Sequence, residues 1–257
     1  MTRYKLEIAY VGKNYAGSQI QLAKNGTVET KPTIQGELEK AISTLIGVKD
    51  SKQIRTIKTL FSGRTDAGVN AKAQVVHFDS DKEFVASKFI RSVNKLLPSD
   101  ISVASLEKVD DLFHAQMSAK QRHYEYKFIN RKIKNAFDGD LMRIEYNINI
   151  ERMAQALSYL EGEHDFKAFK NSGVDNPNTV CKLTRATCTR EDDFIIIELS
   201  GNRFLYNMVR NIVGTLLMIE KDNLSPEVMK EILSSKDRNK AGKKISPYGL
   251  TLVKVEY

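Results

Sequence analysis

Read only for its apolar and polar positions, the chain gives one order of elements twice. Residues 3–11 alternate with the period of a strand, and residues 12–26, with their Gly, Tyr, Gln and Asn, have loop composition. Thr33, behind Pro32, opens a helix whose apolar positions Ile34, Leu38, Ala41, Ile42, Leu45 and Ile46 recur at helical spacing. Residues 56–61 and 73–78 carry the β-branched and aromatic side chains of strands. The Ser-Gly-Arg-Thr-Asp-Ala-Gly between them is turn-forming, so Asp66 projects from a strand-to-strand loop. A second helix has Phe89, Ile90, Val93, Leu96 and Leu97 on its apolar face and Pro98 past its end, and residues 101–109 form the closing strand. The order is β-α-β-β-α-β.

The second half repeats it. Residues 122–129 read as a strand, 150–160 as a helix, 180–189 and 194–199 as two strands, 204–218 as a long apolar helix and 250–257 as a final strand. One element is added, a short helix at 225–233 opened by Pro226 behind a capping Ser225. Two split βαβ units predict an α+β fold of two ferredoxin-like halves, residues 1–110 and 111–257, each an antiparallel sheet backed by helices. Joined edge to edge, the sheets would make one extended sheet with helices on one face and an open cleft on the other. Sheets of that kind bind RNA.

Composition narrows the class. The 257 residues are 41% hydrophobic, without a polar low-complexity tract, which suits a well-packed core. No apolar stretch approaches the roughly 18 residues of a membrane span, and the N-terminus alternates where a signal peptide would be continuously apolar; a cytoplasmic protein is expected. A net charge of +8 is the background of a polyanion-binding protein. It is locally dense: residues 120–134 hold six basic residues and one acid, and residues 236–244 hold five and one. Cys181 and Cys188 have neither zinc nor redox-pair spacing and read as packing thiols. His77, His114, His123 and His164 are scattered, and neither a Gly-rich nucleotide loop nor a Ser-His-Asp set is present. Neither metal nor cofactor is expected.

Three features join Asp66 as candidate chemistry. In the strand around Arg122, period two puts Arg122, Tyr124 and Tyr126 on one face, where rings can stack a base and cations hold phosphate; ordinary sheet aromatics are the simpler reading. Arg210 lies in a helix so apolar that its guanidinium needs a counter-charge unless it snorkels to the surface, and Asp66 is the candidate partner, which would lower the carboxyl's pKa. The Pro-Tyr-Gly turn at 247–249 leads into an apolar strand that by itself reads as sheet core. The residues alone therefore describe a basic, cofactor-free, RNA-binding chain with one poised carboxylate fit for covalent or acid–base work.

Gly63-Arg64-Thr65-Asp66-Ala67-Gly68-Val69, Phe113-His114-Ala115, Arg122-x-Tyr124-x-Tyr126, His164-Asp165-Phe166, Met208-Val209-Arg210-Asn211-Ile212-Val213-Gly214 and Gly249-Leu250-x-Leu252 follow in this order along the chain. Together they resemble the TruA-type tRNA pseudouridine synthases over nearly the whole length. The resemblance implies isomerisation of uridine to pseudouridine in the anticodon stem-loop of tRNA, without cofactor. It makes Asp66 the nucleophile, Arg64 the residue that pries out the target base, Tyr124 the ring against the uracil, Arg210 the partner holding Asp66 ionised, and Leu252 the floor of the base pocket. It also implies a homodimer with tRNA across both subunits, which makes Lys132, Lys134 and the stretch 236–244 candidates for phosphate contact. The ribose–nitrogen bond would break, the trapped uracil turn, and the ribose rejoin a ring carbon. Attack of Asp66 on the ring and a glycal route are both open. The target base must first be extruded from its stem, at a cost of a few kcal/mol.

The chain departs from the family pattern at Ser18, where Trp is common, at Asn70, where His is common, at Ser246, where Ala is common, and in a longer loop at 21–32. A catalytically silent tRNA-binding or tRNA-folding protein, and a synthase acting on another RNA, are the alternatives.

Overall fold

A computed structural model describes residues 1–20, 31–47, 57–171 and 177–257. Most of the 21–32 loop and the first residue of the predicted 56–61 strand lie outside them. The chain is mixed α/β and divides into two compact units, residues 1–120 with 252–257, and residues 121–251.

In the first unit, β1 (Thr2–Tyr10), α1 (Ile34–Leu45), β2 (Leu60–Phe61), β3 (Asn70–Ser80), α2 (Ala86–Leu96) and β4 (Ile101–Val109) follow in turn. β1 lies between β3 and β4 and is antiparallel to both, while the two-residue β2 pairs with β3. The alternation in β1 is realised directly: Tyr4, Leu6, Ile8 and Tyr10 are buried and the residues between them are not. Tyr4 stacks on Phe78 of β3, which stacks in turn on Phe89 of α2. α1 starts where Thr33 accepts a hydrogen bond from the Gly36 N–H at 3.1 Å, satisfying one of the helix's orphan donors.

Alternation fails in β3, where Gln74 to Phe78 are five consecutive buried residues. Such a strand is covered on both faces. Its second cover is the segment after β4. His77 Nδ1 accepts from the Ala115 N–H at 3.1 Å, and the His77 ring packs against Phe113 and His114. Arg3 fixes this cover by pairing with Asp79 at 2.8 Å and donating to the Phe113 carbonyl at 3.0 Å. The Tyr257 hydroxyl donates to the Ala115 carbonyl at 2.7 Å.

The second unit holds β5 (Gln121–Asn130), β6 (Arg143–Ile144), α3 (Ile150–Ser158), β7 (Gly162–Asp165), β8 (Val180–Glu191), β9 (Phe194–Gly201), α4 (Met208–Lys221) and α5 (Val228–Ser235). Its strands run β5-β9-β8-β7, each antiparallel to its neighbour, with β6 parallel to β5. A final strand, β10 (Leu250–Glu256), contributes its residues from Leu252 onward to the first unit. β8 and β9 form a tight hairpin through Asp192, whose φ of 53° suits the short polar residues tolerated in left-handed turns. Cys181 and Cys188 are buried on β8, and burial pushes their thiols up to about 11 and about 12, as expected of packing residues.

Two helices begin later than the sequence pattern predicts. α4 starts at Met208 instead of residue 204, because Asn207 sits in the left-handed region at φ 60° and no helix propagates through it. Arg210 is therefore in the first turn. α5 starts at Val228 behind Glu227, without a side-chain cap. Ser225 instead accepts from the Val228 N–H through its carbonyl at 3.2 Å, and its hydroxyl bonds to the Glu227 carboxylate.

Burial, with help from the nearby Arg3 and His114 charges, lowers His77 to about 4. Its unfolded counterpart titrates near 6.5. Above that pH both states are neutral and His77 costs nothing. As pH falls from about 6.5 to about 4, the unfolded chain takes up a proton that the folded ring refuses, and stability declines by on the order of 3 kcal/mol. Urea denaturation should show this slope, and His77→Asn, which keeps an acceptor for Ala115 but does not titrate, should flatten it.

Candidate active site

The Asp66 loop is held from both sides. At its start the Ser62 N–H donates to the Val75 carbonyl at 2.8 Å, and the Gln74 amide donates to the Gly63 carbonyl at 3.0 Å. At its end the Val69 N–H returns to the Asp66 carbonyl at 3.1 Å through Gly68 at φ 82°. The Gly12 N–H donates to Asn70 Oδ1 at 2.9 Å. Between these anchors, the segment Gly17-Ser18 runs beside Thr65-Asp66 as an isolated antiparallel bridge. The Ser18 N–H donates to the Thr65 carbonyl at 3.1 Å and the Thr65 N–H donates to Ser18 Oγ at 2.8 Å. Gly17 has φ 123°, and a Cβ there would lie 2.9 Å from the Thr65 carbonyl oxygen, so the approach requires glycine on both counts.

The Thr65 side chain is fixed as well. Its hydroxyl lies 2.8 Å from that of the buried Tyr10. Burial pushes Tyr10 up to about 12, so the phenol stays neutral across the working range. The result is a loop with little freedom left to lose, on which Arg64 is exposed and Asp66 partly exposed. A carboxylate so placed can act as nucleophile or base without the loop reorganising.

Tyr124, Lys132, Lys134 and Arg210 lie in the second unit. Arg210 is 8% exposed and its Nε donates to the Ile245 carbonyl at 2.8 Å. That carbonyl is in reach because the chain at 241–245 crosses α4 with no side chain between. A Cβ on Gly214 would lie 1.9 Å from the Lys243 carbonyl oxygen, and one on Gly242 would lie 2.3 Å from the Gly214 oxygen. Arg238 ties the crossing down. It donates to Asn171 Oδ1 at 3.1 Å, to Asn211 Oδ1 at 2.8 Å, and to the Ala241 and Gly242 carbonyls at 3.2 and 3.0 Å. Asn171 also donates to Asn207 Oδ1 at 3.0 Å, which locks the left-handed residue that starts α4. Burial lowers the Arg238 pKa.

On β5, Tyr124 is partly exposed, with its ring edge-on to Phe204 at 4.9 Å. Tyr126, two residues along, is fully buried and donates to the Ser246 carbonyl at 2.9 Å; burial raises it above the ordinary phenol range. Of the two predicted stacking rings, Tyr126 is thereby closed to a ligand. Leu252 is buried in β10. Lys132 and Lys134 are exposed, on a loop braced by the pairing of Arg131 with Asp138 and Asp193.

A family profile described as tRNA pseudouridine synthase matches residues 156–257. The chain is 38% identical over 256 residues to tRNA pseudouridine synthase A of Colwellia psychrerythraea, covering 99% of this chain and 93% of that one. It is 40% identical over 262 residues to the protein of that name from a Thermoanaerobacter species, with 100% of both chains covered. Against that of Ehrlichia chaffeensis it is 40% identical over 257 residues, covering 99% and 100%. The chain belongs to the tRNA pseudouridine synthase family.

Within this member of the tRNA pseudouridine synthases, two supporting groups are hidden from sequence reasoning. Ser18 stands out in the sequence only as a departure from the family pattern, because a hydroxyl that accepts from a backbone donor 47 residues away has no local signature. Arg238 falls in the basic stretch 236–244 expected to meet phosphate, yet its guanidinium is spent on internal acceptors, and Lys236 of the same stretch pairs with Asp165 at 2.9 Å. Among the described residues, no group of three or more His, Cys, Asp or Glu could hold a metal.

Arg238→Met keeps most of the side-chain volume but strands several acceptors, and should cost about 3 kcal/mol of stability. Lys236→Ala, which removes a largely exposed ion pair, should cost less than about 1 kcal/mol. Chemical denaturation of the two variants side by side tests the contrast.

Proposed function

We propose that this chain isomerises uridine to pseudouridine in the anticodon stem-loop of tRNA, with Asp66 as the nucleophile. The observation that carries the reading is the Asp66 loop: the family's Gly-Arg-Thr-Asp-Ala-Gly sequence on a backbone anchored at Ser62, Thr65 and Val69, in a chain 38–40% identical to its relatives from end to end. Arg64, exposed on the same loop, takes the place of the extruded base. Tyr124 packs on the uracil, Leu252 floors its pocket, and Arg210 holds Asp66 ionised. The last role fits a guanidinium that is nearly buried and held at Nε by a main-chain carbonyl, which orients the charge without neutralising it.

The architecture that goes with this reading is two ferredoxin-like halves, residues 1–110 and 111–257, their sheets joined and a basic cleft on the open face. The protein acts in the cytoplasm as a homodimer, with one tRNA across both subunits and Lys132 and Lys134 on its phosphates. The reaction is an internal exchange of a ribose–nitrogen for a ribose–carbon bond, so electrons and atoms balance without a cofactor.

Incubation of purified protein with unmodified tRNA, followed by pseudouridine mapping, tests the proposal. Product is expected in the anticodon arm, and Asp66→Asn should lower the rate by at least about 1,000-fold. Full activity in Asp66→Asn would refute the assigned chemistry, and tRNA binding without product from the unmutated protein would favour a silent binder.

Reversing the charge of Lys132 and Lys134 together should weaken tRNA binding and flatten its salt dependence, by about 0.9 in log–log slope for each duplex phosphate that is no longer neutralised. Unchanged affinity and slope would remove this loop from the footprint.

A further inference from the structure

Gly17 and Ser18 stand between two things that must not move. Their carbonyls accept from the Ile34 and Gln35 N–H groups at 3.2 and 2.9 Å, which seats the segment on the first turn of α1. Their other edge carries the Asp66 loop, through the Gly17–Asp66 bridge and the two bonds from Ser18 to Thr65. Ser18 is completely buried and Thr65 is 7% exposed, so the bond from the Thr65 N–H to Ser18 Oγ is made out of reach of water. A backbone donor in such a place is costly to leave unmade.

We propose that Ser18 is a positioning residue for the reaction: its hydroxyl holds the N–H of the Arg64–Thr65 peptide, the unit immediately before the one that joins Thr65 to Asp66, and so orients the backbone that carries the carboxylate. This rests on the functional reading above. A tryptophan in this position, which the family commonly has, offers only an indole N–H donor and cannot accept from Thr65. A one-ångström displacement of a reacting group is enough to slow an enzyme about a hundredfold.

Ser18→Ala removes the acceptor with little change in volume. At saturating tRNA its single-turnover rate should fall about tenfold, equivalent to about 1.4 kcal/mol of barrier, while the Kd for tRNA changes less than about twofold. Hydrogen exchange at the Thr65 amide should speed up beyond any change at the amides of β3. The control is Asn94→Ala, which removes side-chain bonds to both the N–H and the carbonyl of Val103, at 2.8 and 2.9 Å, in the same unit but away from the loop. It should lose stability and keep the rate. Should Ser18→Ala fail to fold, Ser18→Cys, with a weaker acceptor in the same place, is read by the same criteria. A Ser18 variant with the wild-type rate, or an equal loss of rate in Asn94→Ala, overturns the inference while leaving the proposed function intact. Wild-type protein that forms no pseudouridine sinks the function itself.

Discussion

Contact of backbone with backbone, closer than any side chain permits, is the constraint on which the rest of the structure depends. In the first unit it brings Gly17 against Thr65, and in the second it brings Gly214 against the chain at 242–243. Each contact puts a main-chain hydrogen-bonding partner beside a residue with a proposed role. Gly17-Ser18 stand beside Asp66, and Ile245 stands beside Arg210. A main-chain group cannot rotate away as a side chain can, so a charged group referenced to it is positioned by the fold itself. The glycines bring an entropic cost in the unfolded state, which the hydrogen bonds made across each contact offset.

Arg238, half-buried beside α4, shows how a guanidinium can be satisfied without a counter-charge. Arg238 is surrounded by neutral oxygens, two from asparagine side chains and two from carbonyls, a set that solvates the charge without neutralising it. Such an arginine is a structural brace. Those asparagines are themselves committed, Asn211 to the Phe169 carbonyl at 2.7 Å and Asn171 to Asn207, so the network is closed and its geometry single-valued. The consequence falls on α4. Asn207 is held in a conformation that forbids an earlier start, and the first helical turn, with Arg210 in it, begins at one defined point.

Period and composition are sufficient for the elements and insufficient for their braces. β4 falls where its alternation ends, and α1 starts at the cap that Thr33 offers. The predicted start of α4 is wrong by four residues because the decisive fact is one backbone dihedral at Asn207, stabilised from Asn171, 36 positions away. In β3 the five-residue buried run is readable as hydrophobic in part, but Gln74 and His77 are polar, and their burial follows from partners elsewhere in the chain, Ser62 and Gly63 for Gln74 and residues 113–115 for His77. For the proposed site, Asp66 is singled out by the Gly-Arg-Thr-Asp-Ala-Gly sequence around it, since an aspartate in a turn otherwise has many structural uses. Ser18 carries no such motif, and a small polar residue in a loop has as many uses.

The excess positive charge is distributed by residue type, and the distribution follows from how the two cations are solvated. Among the described residues no lysine is buried, whereas the arginines include the nearly buried Arg210 and the braces Arg3, Arg131 and Arg238. Arginine's planar fork can satisfy several fixed acceptors at once and is weakly hydrated, so the protein interior can hold it. Lysine's ammonium is strongly hydrated and stays in water on a flexible stem. A net charge of +8 displayed mainly through lysines is a field of mobile point charges, suited to neutralising a polyphosphate without reading its sequence. Selectivity must then come from elsewhere. Under the proposed function it falls to rigid parts such as the Asp66 loop, whose backbone is fixed by its bonds to Ser18 and by the close approach of Gly17.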